Sequence, residues 1–275
     1  GLYNATVYRN DRGQIQGVFA AARDITELKA AERRGNLTNA LLKLFAQKTS
    51  LGEYLDAVVQ SIQDWTGCQA LGIRVADGDQ KIPYGSHRGF SPEFLELEDN
   101  LSLAGNSCIC IRAISGKYED QDGGILTAGG SFRCDNGPEF VRCMASEKQA
   151  QYRGHCVGFG FKSLAVIPIR YLDRILGAVH LADSREAFFE PAAVEFLESI
   201  SPMIGEAIQR FHAEEELVKY RGRLEELVRQ RTVELEAANE RLQKEIAERR
   251  IADRNLRDTA AELQRSNRDL EQFAY

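Results

Sequence analysis

From about Leu217 to Tyr275 the chain has no proline and, after Gly222, no glycine, while acids and bases interleave along it. Val228, Leu235, Leu242, Arg249, Leu256, Leu263 and Leu270 recur every seven residues. That interval lays one apolar stripe along a long helix, and such a stripe needs a partner helix. Upstream, Leu217 and Leu224 keep the interval, but Leu224 to Leu235 is eleven residues, a four-residue stutter that locally unwinds a supercoil. The seam is weak. Three positions after each stripe residue stand Arg231, Ala238, Glu245, Ala252, Thr259, Ser266 and Phe273, mostly small or polar, and Arg249 occupies the leucine register itself. A weak two-stranded rod suits a relay, because two packings of similar energy can be biased from one end. A passive dimerisation spacer is the plainer alternative.

The remainder of the 275 residues has room for one compact domain of about 150 residues plus extensions. A hydrophobic content of 43% supplies its core. The net charge of −6 gives no electrostatic case for nucleic acid or an anionic membrane surface. No apolar run approaches the ~18 residues of a membrane span, and no signal peptide opens the sequence. A cytoplasmic location is therefore expected, with any membrane attachment of a parent protein lying outside this segment. Six cysteines, Cys68, Cys108, Cys110, Cys134, Cys143 and Cys156, then read as reduced thiols, redox sensors or ligands rather than a disulfide scaffold.

In chain order, Leu2–Arg9 and Gln14–Ala22 form a hairpin about Asn10-Asp11-Arg12-Gly13. Asp24 or Thr26 caps a helix over Glu27–Gln47, with Gly35 a weak point. Ser50 and Glu53 form a capping box for a helix whose stripe includes Leu55, Val58, Val59, Ile62 and Trp65, closed by Gly67. Leu71, Ile73 and Val75 alternate as a strand, and Asp77-Gly78 turns into a second strand at Gln80–Tyr84. Ser91-Pro92 opens one short helix, Ser107–Ser115 forms another, and a strand falls around Ser131–Cys134. Phe161–Arg170 and Ile175–Ala182 pair about Tyr171-Leu172-Asp173-Arg174. Pro191 opens the long helix, with a kink expected at Pro202. These elements describe an α+β fold, an antiparallel sheet with flanking helices, followed by a long parallel coiled-coil helix.

Stretches of the chain resemble three known families. Arg23-Asp24-Ile25-Thr26-Glu27-Leu28 after a hairpin is similar to the C-terminal end of a PAS domain. Phe161–Arg170, Ile175–Leu181, Phe189-Glu190-Pro191 and Phe196-Leu197 resemble the closing strands and helix of a GAF domain. Ser107-Cys108-Ile109-Cys110 and Gly129-Gly130-Ser131-Phe132 resemble its cysteine-bearing branch in multi-sensor kinases. Arg231–Asn239 and Ser266–Tyr275 resemble the signalling helix of sensor histidine kinases, in which the last stretch leads within a few residues to the phosphoacceptor histidine. These resemblances imply residues 1–26 as a PAS hairpin, 27–48 as a linker helix, 37–211 as a GAF domain and 212–275 as a signalling coiled coil. They imply the input and relay part of a multi-sensor histidine kinase of a two-component system, a homodimer through GAF helices and rod. Its partners would be a small-molecule signal and, through the missing kinase part, a response regulator, with no nucleic acid. The phosphoacceptor histidine and ATP-binding domain are absent from this segment.

The chemistry resides in the cysteines. Cys108, Cys110, Phe132, Cys134 and Cys156 are the candidate ligand-binding residues. The GAF resemblance places Cys108-x-Cys110 on the segment that covers its pocket face; Cys134 follows a predicted strand, and Cys156 precedes the closing strand pair. Cys108, Cys110, His155 and Cys156 are candidate haem or metal ligands, through thiolate or imidazole. A low-pKa thiol forming a disulfide with a neighbour is a second reading, and buried small hydrophobes a third. No pair of C-x2-C motifs favours zinc. A thiol-based GAF enzyme resembling methionine sulfoxide reductase is an alternative, and requires an attacking and a resolving cysteine. His180 reads as a satisfied residue of an apolar strand. His212, followed by alanine, does not match the phosphoacceptor motif.

Overall fold

A computed structural model describes residues 2–99, 101–104 and 108–273. Ser107, Ala274 and Tyr275, which belong to the motifs quoted above, lie outside the described residues. The chain divides into two compact units, residues 1–212 and 213–275.

The first unit opens with strands β1 (Leu2–Arg9) and β2 (Ile15–Arg23), paired antiparallel with Val7 opposite Val18 and Thr6 opposite Phe19. The turn follows from its residues: Asn10 Oδ1 accepts from the amides of Arg12 and Gln14, and Gly13 adopts φ +76°. Helix α1 (Thr26–Gln47) runs unbroken through Gly35. Its N-cap position is Ile25, with no side-chain cap bond there; Asp24 instead accepts from the amide and hydroxyl of Thr26 at 2.9 and 2.7 Å. Helix α2 (Leu51–Thr66) starts where Ser50 Oγ accepts the Glu53 amide and ends at left-handed Gly67.

Five antiparallel strands form the central sheet: β3 (Ala70–Val75), β4 (Tyr84–Arg88), β5 (Phe132–Cys134), β6 (Ser163–Tyr171) and β7 (Arg174–Asp183), in the order β4-β3-β7-β6-β5. The strand expected at Gln80–Tyr84 is corrected: β4 only begins at Tyr84. Asp77 Oδ1 accepts from the amides of Asp79 and Lys81, which widens the turn. Gln80 adopts φ +61°, and Pro83 has no amide to give a ladder.

Side chains alternate between the sheet faces. Leu71, Ile73, Ala165, Ile167, Val179 and Leu181 face α1, α2 and the start of α8 (Pro191–Phe273), which contributes Val194, Leu197, Ile200, Ile204 and Ile208. That recurrence at three and four residues is one helical face, and each such side chain contributes about 1.5–3 kcal/mol by burial. The opposite face carries Ala70, Ala178, Ala182, Leu164 and Val166 under a second apolar layer. That cover consists of α3 (Pro92–Glu98), α4 (Ile109–Ser115), α5 (Gly137–Arg142) and α7 (His155–Gly158) with their loops, while α6 (Ser146–Gln151) buries no residue. Three of these helices, α5 to α7, have no counterpart in the sequence reading. Asn136-Gly137-Pro138 nevertheless opens α5 as Ser91-Pro92 opens α3, with Asn136 Oδ1 accepting the Glu139 amide.

The second unit is helical throughout its described residues, as the continuation of α8, and the helix is continuous through Pro202 in the first unit. Leu217, Leu224, Leu235, Leu242, Leu256, Leu263 and Leu270 are all exposed. Pairs such as Glu215–Lys219, Glu245–Arg249 and Asp253–Arg257 lie along the helix surface at 2.8–2.9 Å. Among the described residues, no helix is long and apolar enough to cross a membrane.

Candidate functional site

One row of paired residues crosses the covered sheet face: His87 on β4, Gly72 on β3, His180 on β7, Val166 on β6 and Phe132 on β5. Gly72 leaves a gap in this row. A Cβ there would lie 2.5 Å from the Tyr84 ring, so the missing side chain is what lets Tyr84 lean across β3. Its hydroxyl reaches His180 Nδ1 at 2.8 Å, and His180 Nε2 faces Cys156 Sγ at 3.7 Å. With the hydroxyl donating, the ring is neutral and protonated at Nε2. Burial holds His180 down at about 3 and, with the Cys108 thiol adding, pushes the Cys156 thiol well up.

Arg74, the next residue of β3 on this face, is fully buried with its guanidinium 3.7 Å from the centre of the Tyr84 ring. It donates to the carbonyls of Ile82 and Glu98 at 2.8 Å, and the buried Glu98 carboxylate lies 3.6 Å away. Glu98 also accepts from Arg153 at 3.1 Å and meets His155 Nδ1 at 2.8 Å. One buried carboxylate thus ties β3, α3, the segment before α7 and α7 itself. On the other side of the cover, Arg112 of α4 pairs with fully buried Asp122 at 2.8 Å.

The predicted cysteines are brought to one layer in part. Cys108, Cys110, Cys134, Cys156 and Phe132 all belong to the apolar core of this face. Cys108 stands at the N-cap position of α4, without a side-chain cap bond, and Cys110 lies in its first turn. A hydrogen bond from Cys110 pulls the Cys108 thiol down and pushes Cys110 well up, and burial adds to the rise at Cys110. Cys134 sits on edge strand β5, pushed to about 11 by burial. His155 is half-buried and engaged by Glu98. Cys68 packs in the other core, and Cys143 is exposed beside Glu139 at 3.3 Å.

His180 is closed to a haem iron. Both ring nitrogens of His180 are engaged, and Phe90 stacks on it at 5.4 Å while also contacting Phe94 and Phe161. Among the described residues, no group of three or more His, Cys, Asp and Glu is placed to hold a metal ion. Cys108 and Cys110 are two neighbouring buried thiols, of which Cys108 is the one pulled down.

A second feature joins this face to α8. Residues Ile125–Arg133 fold as a tight hairpin: the Thr127 amide donates to Ser131 O, the Arg133 amide to Ile125 O, and Gly130 adopts φ +82°. Thr127 Oγ1 donates a short hydrogen bond to the Glu198 carboxylate on α8. Arg170 and Tyr118 hold the Gly129 and Gly130 carbonyls. The hairpin continues directly into Phe132 and Cys134.

Arg74, Tyr84, Glu98, Phe90 and Thr127 escaped the sequence reading. Arg74 carried a signal, an arginine between apolar strand residues. Glu98 carried none, since an acid on a short acidic helix looks solvated.

A family model described as "GAF domain" matches residues 50–208. No curated protein sequence matches the chain. Solved structures resemble it at low identity. The GAF domain of an Acinetobacter phosphoenolpyruvate-protein phosphotransferase is 15% identical, with a TM-score of 0.49, covering 66% of this chain and 97% of that one. A domain of a putative two-component sensor histidine kinase from Sinorhizobium meliloti is 18% identical (TM-score 0.44; 62% and 97%). The free methionine-R-sulfoxide reductase of Neisseria meningitidis, in complex with its substrate, is 14% identical (TM-score 0.49; 70% and 96%).

Proposed function

The chain belongs to the GAF domain family, and on that premise we propose that it is the sensory-input and relay part of a multi-sensor histidine kinase. In this reading residues 1–26 end a PAS domain, and the exposed stripe of the second unit pairs with that of a second copy in a parallel homodimer. The kinase part and its response regulator lie beyond the segment. The hydrogen bond of Thr127 to Glu198 carries the proposal. It ties the output helix to a hairpin whose continuation, Phe132 and Cys134, forms the floor of the cysteine layer.

The input best supported is thiol oxidation or a small ligand that reorganises this face. For oxidation by a peroxide, Cys108 attacks as thiolate to give a sulfenic acid and releases water. Cys110 then displaces a second water, forming the S–S bond, so two thiols are oxidised as one peroxide is reduced. A reductase of free methionine sulfoxide is the weaker reading. Burial pushes the Cys156 thiol well up, and with Tyr84 donating to Nδ1 the His180 Nε2 that faces this thiol already carries a proton.

The test is amide exchange across Pro191–His212 in the full chain, with and without hydrogen peroxide, alongside a free-thiol count. Oxidation is expected to remove two thiols and to alter exchange near Glu198. Thr127→Val should keep the thiol loss and abolish the change in α8. Exchange in α8 that ignores oxidation in the parent chain would sink the redox form of the proposal.

A further inference from the structure

On the sheet face opposite the cysteine layer, α1, the end of α2 and the first turn of α8 line an open cleft of about 320 Å³. Arg33 and Arg34 of α1 line it, with Trp65 of α2 and Phe188 and Glu190 ahead of α8. Two arginines against one glutamate make the lining locally positive in a chain of net charge −6. Arg33 is fixed there by donating to the Trp65 carbonyl at 2.8 Å, which leaves its remaining N–H groups available. Among the described residues, no hydrogen bond or ion pair engages the side chain of Arg34. The indole Nε1 of Trp65 is shut off from water and has no acceptor, an arrangement that buried donors rarely keep without a partner. Apolar walls are supplied by Phe188 and by the Trp65 ring, which packs on Phe196 at 5.1 Å.

We propose that this cleft binds a small planar organic anion, an aromatic carboxylate. Guanidinium groups match a carboxylate in charge and in planar donor geometry. The ring would lie against Phe188 and Trp65, with the carboxylate at Arg33 and Arg34. The cleft volume suits a one- or two-ring molecule. This site is independent of the thiol reading. Its occupant would bridge α1, which leads in from the N-terminal hairpin, and α8, which leads out.

Trp65 is the single tryptophan of the chain, so its emission reports from the site itself. The full chain is titrated with benzoate, with benzyl alcohol as the uncharged ring and with inorganic phosphate as the ringless anion. Benzoate is expected to give a saturable change in Trp65 emission at millimolar concentration or below, with the other two weaker by about tenfold or more. Arg34→Glu should weaken benzoate to the same extent. Ala30→Glu, on the exposed rim, supplies the same charge reversal without touching a buried group, and should act in the same direction. No saturable change with benzoate overturns the proposal. So does equal binding of benzyl alcohol, which marks an apolar crevice, tighter binding of phosphate, which marks a bare anion spot, or benzoate affinity unchanged in both folded variants.

Discussion

The hydroxyl of Tyr84 on β4 lies 2.8 Å from Nδ1 of His180 on β7, although strand β3 runs between them. Gly72 is the residue of β3 in that row, and its lack of a side chain makes the span possible. The contact neutralises a polar pair inside an apolar layer and turns the other face of the imidazole toward Cys156. A covered sheet face of this kind is stable at rest, and any input must disturb it.

Acid should do so through His180. Its folded pKa is held at about 3 by burial, against about 6.5 in the unfolded chain. Below pH ~6.5 the unfolded chain takes up a proton that the folded one refuses, so stability falls as pH drops from there toward ~3. Above ~6.5 the group's contribution is complete. The slope for one such group is about 1.4 kcal/mol per pH unit. Between pH ~6.5 and ~5 the parent is expected to lose about 2 kcal/mol more than His180→Gln, by urea unfolding. Parallel pH dependence in the two proteins would show that His180 is protonated in the fold.

The Arg74–Glu98 pair should respond asymmetrically. Glu98→Ala strands a fully buried guanidinium with two carbonyls and the Tyr84 ring but no counter-charge, a loss of about 3–5 kcal/mol. Arg74→Met leaves Glu98 with Arg153 and His155 still in place, so it is expected to cost about half as much or less. Urea midpoints of the two variants decide this. Equal losses would mean that Arg153 and His155 contribute little to holding the carboxylate.

Gly205 tests the seating of α8. A Cβ at this position would overlap the Arg170 carbonyl oxygen at the end of β6, so α8 touches the sheet backbone to backbone. Gly205→Ala must move the helix or the β6–β7 hairpin, and overpacking of that kind costs about 1–3 kcal/mol. Helix propensity works the other way by about 1 kcal/mol. Net destabilisation, with faster amide exchange at Arg170 and Tyr171, is the expected result; a more stable variant would show that the contact yields freely.

Much of this fold is written in local patterns. Ser50 before Glu53, Gly67 after Thr66, and the continuous apolar runs in Phe161–Arg170 and Ile175–Ala182 each dictate one element without help from elsewhere. The cysteine layer was legible as a segment, because Cys108, Cys110 and Cys156 fall on the cover of the sheet. Its organisation was not. Arg74 and Glu98 stand twenty-four residues apart, and Thr127 and Glu198 seventy-one. No spacing rule links them, since tertiary closure alone makes them neighbours. β4 was misplaced because Asp77 and Pro83 act on the backbone, below the resolution of an apolar pattern.

The last prediction concerns the second unit. Leu242 and Leu256 expose a stripe with Arg249 between them, and Arg249 is held 2.9 Å from Glu245 on its own helix. If the stripe is a seam between two copies, Arg249 keeps one layer from closing, because a charge at that position must stay hydrated or leave the interface. Arg249→Leu would then complete the leucine layer and add about 1.5–3 kcal/mol per chain of apolar burial. The variant is expected to melt at higher temperature by helix circular dichroism, with a concentration-dependent midpoint, and to remain dimeric by light scattering where the parent begins to dissociate. In an intact kinase the same substitution should blunt the response of autophosphorylation to input, since a deeper single minimum is harder to bias. A parent chain that is monomeric at micromolar concentration, or a variant that melts as the parent does, would remove the seam and with it the relay.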